Sequence, residues 1–242
     1  MGEDLSNRAL ASTHWSVVLL AGSDDAAGAR EALEVLCRTY WRPLFAYACR
    51  LGSNEEEAKD LTQAFFQHFL EKGYIRAADP ERGRFRSFLL TAFRHFSVND
   101  VARKRAAKRG GQRSFLTLDE FAAAAKKEEP HSAGVSPDQY YDQQWALTVM
   151  QRAMQVLKAE YDSEGKDRSF QILKPFLAAS PAEGDYENAA AQLQVRSANV
   201  ALQVHRMRDR YKAAVRAEVA QTVGKPEDLE DELRYLVSLI AR

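Results

Sequence analysis

Apolar residues recur at helical spacing along most of this sequence, and this pattern most constrains the fold. Between residues 29 and 51, and again between residues 55 and 72, apolar side chains fall three or four positions apart, which gathers them on one face of a helix. No segment shows convincing alternation of apolar and polar residues, the pattern of a half-buried strand. No run of 18 apolar residues occurs, so no membrane span is predicted. The predicted fold class is all-α.

The helical pattern fails over one long stretch, from Gly110 to about Tyr140. This stretch contains Gly-Gly, an Ala-rich and charged run, and Ser-Pro, a composition typical of a linker. We therefore predict two helical domains, residues 1–108 and 140–222, joined by a flexible linker at residues 109–139. Residues 223–242 are predicted to form an acidic amphipathic extension. We expect it to pack on the second domain; the alternative role is to mask a basic DNA-binding face.

Residue spacing gives no indication of an enzyme. The five histidines lack the ligand spacing of a metallohydrolase, and no glycine-rich phosphate-binding loop occurs. The two cysteines lie inside apolar helical patterns and are interpreted as buried thiols, which suits a reducing compartment. The N-terminus lacks the apolar core of a signal peptide. We predict a cytoplasmic protein with no enzymatic activity, metal or cofactor.

The stretch from Arg82 to Arg113 concentrates positive charge on a chain that is neutral as a whole. It holds ten Lys or Arg residues and one acidic residue, Asp100, whereas the chain has 34 residues of each sign. Such a concentration predicts a surface for a polyanion, most often nucleic acid. The first half also carries phenylalanines that could stack on unpaired bases. An ordinary amphipathic helix followed by a basic solvated end explains the same pattern.

A second pattern, from Gly184 to Val215, predicts a helix-turn-helix. A short helix from Tyr186 to Leu193 precedes a tight turn at residues 194–196, and Ser197 is placed to cap a second helix. The inward stripe of that second helix leaves polar side chains outward, where they can reach base edges and phosphates in a major groove. These candidate DNA-binding residues are Arg196, Asn199, Gln203, Arg206 and Arg210. A plain helical hairpin with a basic outer face is the alternative.

The two patterns together resemble an RNA polymerase sigma factor of the extracytoplasmic-function (ECF) group. The resemblance covers nearly the whole chain. Its most specific pieces are the segments DLTQ with FF at residues 60–66, RFRSFL at residues 84–89 and VHRMR at residues 204–208. It implies a transcription initiation factor whose partners are core RNA polymerase and promoter DNA.

The resemblance also implies roles for individual residues. The first domain would bind polymerase and open the upstream melting element, flipping a base near residues 95–99, and the second would read the distal element. Polymerase-binding residues would be Glu57, Asp60, Gln63 and Gln67. Residues holding DNA in the first domain would be Arg86, Arg94, His95, Asn99, Arg103, Lys104 and Arg105.

Several positions depart from the pattern of the family. The polymerase-facing helix is poor in carboxylates, Gln194 stands where the turn often has Gly, and Asn99 stands where Asp is common. The first departure suggests that phosphorylation of Thr62 by a serine/threonine kinase supplies the missing negative charge. The alternatives are that Thr62 is a neutral surface residue, and that an anti-sigma factor controls the protein. A DNA-binding regulator that acts without polymerase is the alternative function.

Overall fold

The computed structural model describes residues 26–71, 84–108, 135–179, 181–223 and 225–241. These residues form helices and connecting turns with no strand, which confirms the all-α prediction for this part of the chain. None of the helices described there is long and apolar enough to cross a membrane. The predicted early helix around Trp15, the turn at residues 79–83 and most of the predicted linker lie outside the described residues.

The chain divides into two compact units. The first comprises the chain up to Thr148 together with the segment from Ala220 onward, and the second comprises Val149–Val219. The helices of the first unit are α1 (Ala26–Arg50), α2 (Glu55–Glu71), α3 (Phe85–Lys108), the first part of α4 (Pro137–Ser163), and a C-terminal helix that follows the second unit. The last three residues of the predicted linker are thus already helical, because α4 begins at Pro137.

Two of these helices begin at a capping box, in which a side chain and a backbone N–H bond each other reciprocally. Asn54 accepts a hydrogen bond from the backbone N–H of Glu57 (2.9 Å), and the Glu57 carboxylate accepts one from the backbone N–H of Asn54 (3.2 Å). This reciprocal capping box begins α2 where the sequence predicts it. Helix α1 continues through Pro43, although a proline inside a helix removes one backbone hydrogen bond and favours a kink or a restart. Ser136 and Gln139 form a second capping box at the start of α4.

Aromatic side chains make the core of the first unit. Phe65 of α2 contacts Phe93 of α3 edge to face, with ring centroids 5.0 Å apart, and Tyr40 of α1 contacts Phe85 of α3 at 5.4 Å. Tyr40, Phe85 and Phe93 are completely buried. Such pairs add stabilisation beyond the apolar area they bury. The aromatic half of the basic stretch is therefore mainly a core face, as the amphipathic-helix interpretation proposed.

The C-terminal helix α9 (Leu229–Ile240) follows a short 3₁₀ turn at Pro226–Asp228 and belongs to the first unit. Its buried residues are Glu232 and Leu236. The hydroxyl of Tyr235 donates a hydrogen bond to Asp142, so the expectation that this extension packs on the predicted second domain (residues 140–222) holds for the start of α4, which belongs to the first unit. Glu232 also pairs with Arg86 of α3 and with Arg84 just before it, which the sequence analysis did not predict.

The second unit contains the rest of α4, α5 (Asp167–Leu173), α6 (Pro175–Ala178), α7 (Asp185–Leu193) and most of α8 (Ser197–Ala220). Its core joins apolar side chains of all five helices, among them Leu157, Phe170, Phe176, Ala189 and Met207. Between α7 and α8 the chain turns at Gln194, whose φ of 55° makes it the one non-glycine residue with positive φ in the described part. The sequence predicts a tight turn here, with Gln194 where glycine is common, and the structure gives Gln194 the left-handed backbone that glycine would adopt more readily.

Candidate nucleic-acid and polymerase interfaces

Helix α2 presents the four predicted polymerase-binding residues to solvent. Glu57, Asp60, Gln63 and Gln67 are all exposed, and the last three follow the three- and four-residue spacing of one helix face. Ala58, Phe65 and Phe69 are buried on the opposite side. The carboxylate of Glu57 also belongs to the capping box, so one of its oxygens already accepts a hydrogen bond.

Thr62 lies on the buried side of the same helix. Its side chain is completely buried, and its hydroxyl donates a hydrogen bond to the carbonyl oxygen of Ala58 (2.7 Å). A kinase cannot reach this oxygen in the folded unit, and a phosphate there would have to be desolvated within the core. The interpretation of Thr62 as a surface phosphosite is therefore wrong.

Arg86 of α3 is also buried, with 4% of its surface exposed. Its Nε donates to Glu232 Oε1 of α9 at 2.8 Å, and its Nη1 contacts Asp142 of α4. Arg84 makes a further ion pair with Glu232 at 2.7 Å. Two arginines thus face two carboxylates, and the cluster of Arg84, Arg86, Asp142 and Glu232 has no net formal charge. Arg86 is a structural cation in this fold, and its prediction as a DNA phosphate contact is wrong.

Aromatic rings enclose the Arg86 guanidinium on both sides. Its Cζ lies 4.8 Å from the ring centroid of Trp145 and 4.7 Å from that of Tyr235, and Tyr141 donates a hydrogen bond to its backbone carbonyl (3.1 Å). Burial lowers the pKa of Arg86, but the hydrogen bond and charge of Glu232 outweigh it and hold the pKa above its usual value. Burial and the hydrogen bond to Asp142 raise the pKa of Tyr235 to about 12.

Arg94, eight residues or about two turns further along α3, is half-buried. Its Nε donates to the hydroxyl of Tyr47 at 3.0 Å, and its Nη2 contacts Asp138 at the start of α4. Burial tends to lower the pKa of Arg94, but its bonds to Asp138 and Tyr47 raise it overall. Its predicted role in holding DNA phosphates thus competes with a bond inside the unit.

The remaining predicted DNA contacts of α3 lie nearer its C-terminal end. His95 and Asn99 are exposed, four positions apart on one face of the helix. Arg103, Lys104 and Arg105 fall on the last turns of α3, but their side chains lie outside the described residues. The neighbouring Phe96 ring is half-buried and contacts Phe65 at 5.7 Å.

Helix α8 exposes most of its predicted DNA-binding residues. Arg196 just before the helix, and Asn199 and Arg206 on it, are exposed, and Gln203 is half-buried. The opposite face of α8 is buried through Val200, Val204 and Met207. Asn199 and Arg206, seven residues apart, therefore lie on the outward face two turns from each other.

Arg210 does not share this outward position. Its guanidinium bonds to Glu160 (2.9 Å) and Glu164 (2.8 Å) at the end of α4, and its Cζ lies 4.6 Å from the ring centroid of Tyr161. The neighbouring Arg208 likewise donates to the carbonyl oxygen of Phe176 at 2.8 Å. Arg210 thus links α8 to the end of α4 within the second unit, and its predicted role as a DNA contact competes with these bonds.

Residues 36–107, which include α2 and all of α3 except its last residue, match the family model described as sigma-70 region 2. The chain carries a sigma-70 region 2. This confirms the predicted resemblance to a sigma factor, and region 2 is the part of such a factor that binds RNA polymerase and melts promoter DNA. Assignment to the ECF group stays a prediction. Comparisons with curated proteins and with solved structures gave no match.

Sequence reasoning missed the acidic partners of these arginines. Asp142 and Glu232 are 56 and 146 residues away from Arg86, and Glu160 is 50 residues away from Arg210. One signal was present: Glu232 falls four residues before Leu236, on the side of α9 that the apolar residues bury. A carboxylate on an apolar face requires a buried cation, and the basic segment RFR at residues 84–86 supplies two.

Proposed function

We propose that this chain is a transcription initiation factor that brings core RNA polymerase to specific promoters, with a separate task for each unit. The observation that carries the proposal is the region 2 match over residues 36–107. In region 2, the exposed face of α2 formed by Asp60, Gln63 and Gln67 would dock on polymerase. An exposed polar face suits a contact that forms and breaks during each initiation cycle.

The melting element would be held along the middle and the C-terminal end of α3. His95 and Asn99 are exposed there and can hydrogen-bond a base that has left the stack, while the predicted Arg103, Lys104 and Arg105 contacts would hold the phosphates. The buried phenylalanines of α3 take no part in this task. The paired Arg84 and Arg86 also leave the phosphate contacts to other residues.

The second unit would read the distal promoter element through α8. Arg196, Asn199 and Arg206 can make phosphate and base-edge contacts when the start of α8 enters a major groove. The short α7, the turn at Gln194 and the outward polar face of α8 support a helix-turn-helix here. The ECF assignment and control by an anti-sigma factor remain predictions that follow from the same resemblance.

Run-off transcription tests the proposal directly. Purified full-length protein is added to core RNA polymerase from the same organism, with a pool of genomic fragments as template. We expect discrete transcripts only when both proteins are present. Their absence, together with no detectable binding to core polymerase, would refute the proposal.

The alternative function is a DNA-binding regulator that acts without polymerase. It explains the outward polar face of α8 but assigns no task to region 2. Binding of the protein to enriched promoter fragments, measured with and without core polymerase, separates the two functions. An initiation factor should bind specifically only in the presence of core, whereas a regulator should bind equally well in its absence.

A further inference from the structure

Leu202 is an apolar residue in the middle of the outward polar face of α8. Its side chain is 48% exposed, and it is one of the large apolar side chains that the described part of the chain leaves in solvent. An exposed leucine is ordinary on a protein surface. This one is distinguished by its position, three residues after Asn199 and four before Arg206, both of which are exposed.

The geometry of the helix gives Leu202 no task in folding. At 100° per residue it lies about 160° from Val200 and Val204, the buried residues on either side of it in sequence. Leu202 accordingly lies outside the hydrophobic core of the second unit. If α8 enters a major groove through Asn199 and Arg206, however, Leu202 lies between them and faces the base edges.

The major groove offers one apolar group to such a side chain. Among the base edges, only thymine carries a methyl group, at C5, and small apolar side chains recognise it by contact. We propose that Leu202 determines part of the promoter specificity by packing against the C5-methyl group of one thymine in the distal element. This inference rests on the proposed function of α8, and it names the residue of α8 that would recognise an apolar group on the DNA.

The test uses full-length protein with core RNA polymerase and a pool of duplexes randomised in the distal element. Wild-type protein and Leu202→Ala are each used to select bound sequences. We expect the wild-type protein to enrich thymine at one position and Leu202→Ala to lose that preference while keeping the others. Replacing thymidine at that position with deoxyuridine removes only the C5-methyl group of the base. This replacement should weaken wild-type binding by roughly fourfold, the effect of burying one methyl group, and leave Leu202→Ala unchanged.

Leu147→Ala is the matched control, because Leu147 is similarly exposed (41%) but lies on α4 within the first unit. It should select the same sequences as the wild-type protein. If Leu202→Ala selects the wild-type sequence, or if deoxyuridine weakens both proteins equally, the inference is overturned while the proposed function stands. If the wild-type protein with core enriches no sequence at all, the proposed reading of DNA by α8 fails as well.

Discussion

At the scale of single residues, Arg86 joins three helices through one guanidinium. It contacts Glu232 of α9 and Asp142 of α4 and lies between the rings of Trp145 and Tyr235. A buried ion pair of this kind adds little stability over a well-packed apolar pair. Removing one partner is costly, however, because the other charge stays buried without compensation.

Replacing Glu232 should therefore destabilise the first unit strongly. We expect Glu232→Gln to lower the free energy of unfolding by about 3 kcal/mol or more. Urea unfolding followed by tryptophan fluorescence reports on this unit, because Trp15, Trp41 and Trp145 all precede Val149. Glu227→Gln, at an exposed position just before α9, is the control and should change the free energy of unfolding by less than about 0.5 kcal/mol.

A double-mutant cycle measures the interaction energy between Arg86 and Glu232 separately from their other contacts. The combined variant Arg86→Met with Glu232→Leu should be less destabilised than the sum of the two single variants, because no buried charge loses its partner on that side. Strict additivity would show that Arg86 and Glu232 do not interact in solution.

Tyr235 makes the same cluster sensitive to alkaline pH. Its hydroxyl donates to Asp142 Oδ2 at 2.6 Å, and the pKa of Tyr235 is raised to about 12. A group whose pKa is raised in the folded state stabilises the fold fully below its unfolded pKa, about 10 for tyrosine. That stabilisation is lost as pH rises from about 10 toward 12, where the folded side chain ionises beside a carboxylate.

Comparison with Tyr235→Phe isolates this effect, because the other tyrosines are present in both proteins. At pH 8 we expect the variant to be less stable by about 1 kcal/mol, the net value of one hydrogen bond. The difference should shrink as pH is raised toward 11. Urea unfolding followed by circular dichroism measures it at each pH, and a difference that does not change with pH would contradict the assigned shift.

At the scale of helices and turns, Gln194 is the most strained position described. Its left-handed backbone costs a residue with a side chain about 1–2 kcal/mol, whereas glycine adopts it readily. Glycine also loses more entropy on folding, so we expect a net stabilisation of about 0.5–1 kcal/mol for Gln194→Gly.

Hydrogen exchange in α7 and α8 measures this gain in the second unit itself. Gln155→Gly is the control, because Gln155 is exposed in the interior of α4 and glycine there should cost about 1 kcal/mol. Slower exchange in Gln194→Gly and faster exchange in Gln155→Gly is the expected pair of results. Destabilisation by both substitutions would show that the turn has a different conformation in solution.

These elements show which features the sequence could predict. The start of α2 and the turn at Gln194 depend on residues within a few positions, so capping and backbone preferences indicate them. The helical pattern likewise places Phe65 and Phe69 inside. Whether Arg86 and Arg210 are paired within the fold or free to bind DNA depends on carboxylates 50 or more residues away. A local pattern records that a side chain is charged, but not whether a distant partner neutralises it.

At the scale of the whole molecule, the basic stretch presents less charge than its composition suggests. Arg84 and Arg86 are paired with Glu232 and Asp142, and Arg94 is paired with Asp138. The placement of α9 in the first unit is therefore part of the electrostatics of region 2. Contacts with DNA and polymerase are left to exposed residues on other faces, which can be tested separately.

The last prediction is that polymerase binding and promoter reading are separable by substitution. Asp60→Ala combined with Gln63→Ala removes two exposed polar groups from α2, which should weaken binding to core polymerase about tenfold, or about 1.4 kcal/mol. Asn199→Ala combined with Arg206→Ala should leave that affinity unchanged. It should reduce specific transcription at saturating core by tenfold or more, because each base contact contributes about 1–3 kcal/mol.

Thermal unfolding is the control for both double variants, since all four residues are exposed and neither pair should shift the melting temperature. Core affinity is measured by labelling the protein and titrating polymerase, without DNA. If the α8 pair weakens core binding as much as the α2 pair, the two units do not have separate tasks. If the α2 pair has no effect on core affinity in a fully folded protein, the substituted face does not contact polymerase. Polymerase then docks elsewhere on region 2.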